Sequence, residues 1–141
     1  MREILFKAKS IATGEWVEGN LIQSPYMGDV RSWISTPKDK TRLRAIASYY
    51  GDWRAVEVNT NTICQYTVLT DKNDKKIWEN DIIYNPAEER YFKVFWKKNG
   101  GIWVMRSIDN VNYIVDFEWH YWSKDVEVVG NIFDNKELIG E

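Results

Sequence analysis

Apolar and polar residues alternate along most of this 141-residue chain. A two-residue period is the mark of strands with one buried face. The stretches "ILFKA" and "GEWVEGNLIQ" predict a first strand pair, with Thr13-Gly14 in or near the turn. "RSWIST" predicts a short strand ended by Pro37. "KDKTRLRAIASYYGDW" supports two readings. Its Leu43, Ile46, Ala47 and Tyr50 fit a helical spacing over about three turns, and a basic loop followed by a strand fits as well. "TICQYTVLT" reads as a strand, and "KKIWENDIIYN" as another, bent at Asn80-Asp81 and closed by Pro86.

"YFKVFWKKNGGIWVM" carries the strongest local signal. Two β-rich runs flank Asn99-Gly100, the pair favoured in two-residue hairpin turns. Residues 111–122 and 126–133 supply further strands. The tail "DNKELIG" predicts a short helical turn capped by Asp134 or Asn135. The fold expected is all-β and mostly antiparallel, in two small β units, residues 1–60 and 61–141, that share a core. The second unit is expected to be an SH3-like or partly open barrel around residues 66–133. Trp78, Phe92, Val94, Trp96, Trp103, Val129 and Ile132 are expected in its core. A faint internal echo aligns "WVEGNLI" at 16–22 with "IWENDII" at 77–83. Repeated β units that begin alike would place a bend at Gly19-Asn20 as well as at Asn80-Asp81, and chance would also produce so short a match.

Composition adds weight to the C-terminal half. Of the 21 aromatic residues, twelve lie between Trp78 and Trp122, and each buried ring hides roughly 150–250 Å². The net charge of −2 favours neither nucleic acid nor membrane. Its distribution is uneven: residues 1–50 hold eight Lys/Arg against five Asp/Glu, and residues 101–141 three against eight. That asymmetry favours self-association, basic half to acidic half. Cys64 is the single cysteine, so no intramolecular disulfide forms and a reducing compartment is expected. No run approaches the roughly 20 apolar residues that span a bilayer, and "MREILFKAKS" lacks a signal-peptide core. The expected location is the cytoplasm, without a membrane partner.

The segment "QYTVLTDKNDKKIWENDII" gathers Asp71, Asp74, Glu79 and Asp81. A calcium loop needs oxygen ligands at its first, third and fifth places and Gly at the sixth. Lys75 and Lys76 fill the fifth and sixth, so that reading fails. A turn opened by Asp71 and closed by a left-handed Asp74 fits better, with Glu79 and Asp81 accepting bonds from nearby backbone N–H groups. "TICQYTVLTDKNDKKIWENDII" also resembles the signature of the YopX family of phages and prophages. That signature runs Gln-Tyr-Thr-Gly-Leu, Asp-Lys-Asn-Gly-Lys, then aromatic-Glu-Gly-Asp-Ile-Val. The opening "REILFKA" and the closing "VEVVGNIFDNKELI" resemble the family's two ends. Together the three blocks cover about a third of the chain. Three family glycines are replaced here by Val68, Asp74 and Asn80. Asp and Asn accept a positive φ; a β-branched valine resists it, so β or locally altered backbone is expected at Val68. The resemblance implies an all-β, oligomeric protein and no particular activity.

Nucleophilic catalysis needs a nucleophile, a base and a group that orients the base. The only histidine, His120, lies in "DFEWHYW", and Cys64 lies in "NTICQYT" as a small buried side chain. Nothing local joins them. One His and one Cys make a poor zinc set, and Gly100-Gly101 belongs to a hairpin rather than a phosphate loop. Asp116 and Glu118 share a strand face, an arrangement more often solvated than catalytic. The reading is non-catalytic, with no catalytic residues, metal or cofactor.

From Arg90 to Ile108 there are five cations and no acid. By alternation Phe92, Val94 and Trp96 share one face, and Tyr91, Lys93, Phe95 and Lys97 the other. A two-residue turn sets Trp96 opposite Trp103, Val94 opposite Met105 and Lys93 opposite Arg106; a three-residue turn moves Arg106 to the other face. Tyr91, Lys93, Phe95, Lys97 and Arg106 are therefore the candidate binding face. Two readings follow. In the first the protein is an oligomeric interaction module, the face meeting another copy or a host or phage protein. In the second, single-stranded or non-specific nucleic acid stacks on the rings while the cations contact phosphates. Acidic neighbours such as Asp116 and Glu118 would instead neutralise the face within one subunit.

Overall fold

A computed structural model describes residues 3–24, 29–36, 55–116 and 124–140. The helix-or-loop segment at 38–53 therefore lies outside the described residues. Eleven strands are described: β1 Phe6–Lys9, β2 Trp16–Ser24, β3 Arg31–Ser35, β4 Ala55–Val58, β5 Cys64–Thr70, β6 Lys76–Trp78, β7 Asp81–Asn85, β8 Arg90–Lys97, β9 Ile102–Ser107, β10 Ile114–Asp116 and β11 Glu127–Asn131. Short 3-10 turns occupy Thr60–Thr62 and Lys136–Ile139. Every strand pairing among the described residues is antiparallel, as the alternating pattern predicts. One sheet has the order β4-β3-β2-β1-β5-β6 and the other β10-β9-β8-β7-β11. Among the described residues neither closes into a barrel: β10 and β11 are the two edges of the second. The chain divides into compact units at 1–65 and 66–141, within β5.

In the first unit Ala8, Ile34 and Val58 are fully buried, with Phe6, Val17, Leu21 and Ile63 packed against them. Thr13-Gly14 does make the β1–β2 turn, closed by the Gly14 N–H on the Ser10 carbonyl at 2.8 Å. The predicted bend at Gly19-Asn20 is absent. β2 runs straight through it, and a Cβ on Gly19 would collide with the Ser35 carbonyl. Glycine serves there for close strand approach, whereas Asn80 makes a true bend at φ 70°. The resemblance between 16–22 and 77–83 is thus not structural.

The second unit packs Ile77, Ile83, Phe92, Val94, Met105, Val115, Val126 and Val128 into one core, flanked by Leu69, Trp103 and Tyr113. Two expected core residues are exposed instead. Trp96 is 42% exposed, edge-on to Trp103 at 5.0 Å, because β8 carries it beyond the end of the core. Val129 is 37% exposed because a bulge between Val128 and Gly130 turns it outward. Ile132 is only half-buried.

Three members of the acidic cluster, Asp71, Asp74 and Asp81, serve the architecture. Asp71 is fully buried. Its Oδ1 accepts the Asn73 and Lys75 N–H groups at 2.8 and 2.9 Å, and its Oδ2 accepts the Val128 N–H at 2.9 Å. One carboxylate therefore closes the 71–75 turn and fastens it to β11. Burial pushes its pKa up, but the N–H groups of Val128, Lys75 and Asn73, helped by the Lys75 charge, outweigh burial and hold it below its usual value. Asp74 takes φ 61° and donates its N–H to the Asp71 carbonyl. Asp81, also buried, accepts the Trp78 N–H at 2.8 Å. Val68 sits at φ 74°, inside an irregular β5–β6 pairing between Tyr66 and Thr70. The Thr67 hydroxyl bridges that gap, donating to the Ile77 carbonyl at 2.7 Å and accepting the Leu69 N–H at 3.2 Å.

Two outcomes follow for stability. Asp71→Asn should cost about 2 kcal/mol or more in urea unfolding, because its amide group faces backbone donors with a donor. In the native chain the lowered carboxyl pKa stabilises fully above the unfolded value of about 3.9. That contribution is lost as pH falls below it, through the folded-state pKa. The stability of Asp71→Asn should therefore fall less steeply in acid, and equal acid sensitivity of the two proteins would refute the role of the carboxylate. Val68→Gly removes a left-handed penalty of about 1–2 kcal/mol against glycine's entropic cost of about 0.5–1 kcal/mol. Calorimetry should show a midpoint raised by about 3 °C; a lowered midpoint would show that Val68 is not strained.

Candidate binding site

The β8–β9 register pairs Trp96 with Trp103, Val94 with Met105, and Lys93 with Arg106. The connecting turn is nevertheless not the two-residue form. Lys98–Gly101 make a four-residue loop in which the Gly101 N–H reaches the Lys97 carbonyl at 3.1 Å. Positive φ falls on Gly100 and Gly101 rather than on Asn99. Both loops align the same pairs from Lys97 and Ile102 onward, so the predicted face forms. Tyr91, Lys93, Phe95, Lys97 and Arg106 all project from the side of the sheet opposite Phe92 and Val94.

That side is not an open stacking platform. Ile82 and Val104, the cross-strand neighbours of Lys93 and Phe95, lie on it and are 0% and 2% exposed. Phe95 is half-buried, with the Arg106 guanidinium 4.7 Å from its ring. Tyr91 is 41% exposed and packs on Tyr84 at 4.8 Å. Lys93 is half-buried directly opposite Arg106, a like-charge pair that costs stability. Arg90, by contrast, is engaged internally: it lies 4.9 Å from the Tyr113 ring, and the Tyr113 hydroxyl donates to Glu88. That bond to Glu88 is the main cause of a raised Tyr113 pKa. Asp109 is likewise engaged, accepting the Ser107 hydroxyl, which with Arg90 holds its carboxyl low against a smaller effect of burial. Asp116 stands opposite Val104 on the candidate face, and Glu118 lies outside the described residues.

Beside Lys93 and Arg106 the surface sinks into a groove of about 420 Å³. Its apolar lining comes from Ile108, Val111, Ile132, Phe133 and Ile139, and its third cation is Lys136. No acidic residue lines it. The wall formed by the tail is built by asparagines. The Asn131 side-chain oxygen accepts the Phe133 and Asp134 N–H groups, each at 2.9 Å. The Asn135 side-chain oxygen accepts the Asn131 N–H at 3.0 Å, in the space where any Cβ at Gly130 would collide. Asn135 thus holds the N-cap position of the Lys136–Ile139 turn, yet its side chain bonds backward rather than capping the turn. A 3-10 turn superposes residues three apart, so Lys136 and Ile139 fall in line along the groove, and Phe133 from the preceding turn also lines it. Their spacing was readable in the sequence; that this line would meet β8 and β9 was not.

Cys64 is buried, its Sγ donating to the Thr62 carbonyl at 3.3 Å. His120 lies outside the described residues. Among the described residues no group of three His, Cys, Asp or Glu is placed to share a metal ion, and no helix is long and apolar enough to cross a membrane.

A family model described as YopX protein matches residues 5–140. The chain belongs to the YopX family. Positive φ at Val68, Asp74 and Asn80 falls on the three positions where the family signature carries glycine. These three residues therefore keep the backbone of that signature without its usual residue. No curated protein matches the chain. Among solved structures it is similar to protein EF1440 from Enterococcus faecalis, with a TM-score of 0.54 and 18% identity over 99% of each chain. At that identity the likeness concerns the fold.

The Lys93–Arg106 pair generates a direct test. Lys93→Glu converts it to an opposite-charge cross-strand pair and should raise stability by about 0.5 kcal/mol at low salt. The gain should fade at high salt. Urea unfolding at two ionic strengths measures it, and a destabilised variant would show that the two cations do not oppose each other.

Proposed function

We propose that this YopX-family chain is a non-catalytic phage or prophage accessory protein that works in the host cytoplasm as an oligomeric protein-interaction module. The observation that carries this reading is the cationic, apolar-floored groove beside the candidate face, with Lys93, Lys136 and Arg106 around it and no carboxylate in its lining. Keeping Lys93 against Arg106 costs stability, and an anionic partner offsets that cost. The acidic excess of residues 101–141 supplies such a surface on a second copy. Nucleic acid is the weaker reading, because Arg106 already covers Phe95 and stacking would be left to Tyr91.

Light scattering separates the two. The double variant Lys93→Glu/Lys97→Glu should lower the mass toward that of one chain, while native protein at low salt should not bind single-stranded or duplex DNA. Unchanged mass together with salt-sensitive DNA binding abolished by the same variant would reverse the assignment.

A further inference from the structure

We propose that the groove between the β8–β9 strands and the C-terminal turn takes a short acidic peptide segment of a partner protein, one that carries an apolar side chain between carboxylates. This rests on the interaction-module reading and names the chemistry of its partner.

The groove has the size of a ligand site, since about 420 Å³ falls within the usual range of roughly 300–1,000 Å³. Its charges have a definite layout. Lys93 and Arg106 stand on the sheet wall and Lys136 on the tail wall, with Ile108, Ile132, Phe133 and Ile139 among the apolar residues around them. Cations contributed by both the sheet and the tail, with apolar residues in the same lining, complement a segment that joins carboxylates to an apolar side chain. Alternate residues of an extended peptide point the same way, so a sequence alternating acidic and apolar residues reaches both walls only by twisting or by a short turn. A peptide can do either. The lining also lacks an open aromatic face: Phe133 is half-buried, and the remaining apolar residues are aliphatic. Nucleic acid would find phosphate partners there but no stacking surface. An apolar side chain gains by leaving water for the floor, and the carboxylates add pairing and orientation. The tail wall is pre-organised by the Asn131 and Asn135 bonds, so little ordering opposes binding.

Fluorescence anisotropy on the full chain tests this with three labelled probes: a short peptide of Glu and Leu, a Glu and Ser peptide of the same charge, and oligothymidylate. The Glu–Leu peptide should bind, weakening with salt, and the Glu–Ser peptide should bind far less. Lys136 is exposed and Val111 is 64% exposed, so Lys136→Glu and Val111→Asp should keep the native unfolding midpoint. Each should weaken the Glu–Leu peptide about tenfold. Equal affinity for both peptides, no binding of the Glu–Leu peptide, indifference to both substitutions, or tighter binding of oligothymidylate would each overturn the proposal. The module reading is judged separately by mass. If Lys93→Glu/Lys97→Glu still lowers the mass while the peptide fails to bind, the groove assignment falls and the module stands.

Discussion

The buried carboxylate of Asp71 joins two parts of the second unit that the chain keeps far apart. It gathers the 71–75 turn through two N–H groups and then reaches the Val128 N–H. A charged group can lie fully buried only if donors replace its lost hydration, and here the backbone supplies all three. The contact sets the start of β11 against the turn. From there the bulge at Val128–Gly130 and the asparagine bonds of 131–135 lead directly to the turn that walls the groove. The groove is thus downstream of a structural carboxylate that does not line it.

Around that frame the second sheet divides its two faces unequally. The core face is mainly apolar, with Ser107 buried opposite Phe92. The opposite face buries Ile82 and Val104 yet sets Lys93 against Arg106. Burial of those two side chains, each worth about 1.5–3 kcal/mol, easily outweighs a like-charge pair worth a few tenths to about 1 kcal/mol. The fold can therefore carry electrostatic conflict on this face, and local conflict of that kind tends to accumulate where a surface is used. Among the described residues of the first unit the cations are relieved locally. Lys7 and Lys9 lie over Trp16, and Arg31 lies over Trp33 and bonds Glu57 at 2.9 Å.

Most of the strand pattern was legible because alternation and turn residues act within a few positions. The hairpin register was legible too, even though its loop is longer than the Asn-Gly signal implied, since both loops align the same residues. Val68 was legible only as a conflict: a β-branched residue where the family signature has glycine. The observed φ of 74° resolves it in favour of the backbone, with the Thr67 hydroxyl completing the broken ladder.

By itself, then, the sequence determined the all-β character, the alternating faces of β8 and β9, and the nature of the acidic cluster as turn chemistry. Each of these depends on neighbours along the chain. Tertiary structure alone decided that Trp96 and Val129 leave the core, that Gly19 marks a close approach rather than a bend, and that Phe133, Lys136 and Ile139 meet Lys93 and Arg106. Those outcomes depend on where a strand ends relative to a core, on the path of a bulged edge, and on contacts between segments far apart in the chain. No local period encodes such distances, because they are set only when the whole unit packs.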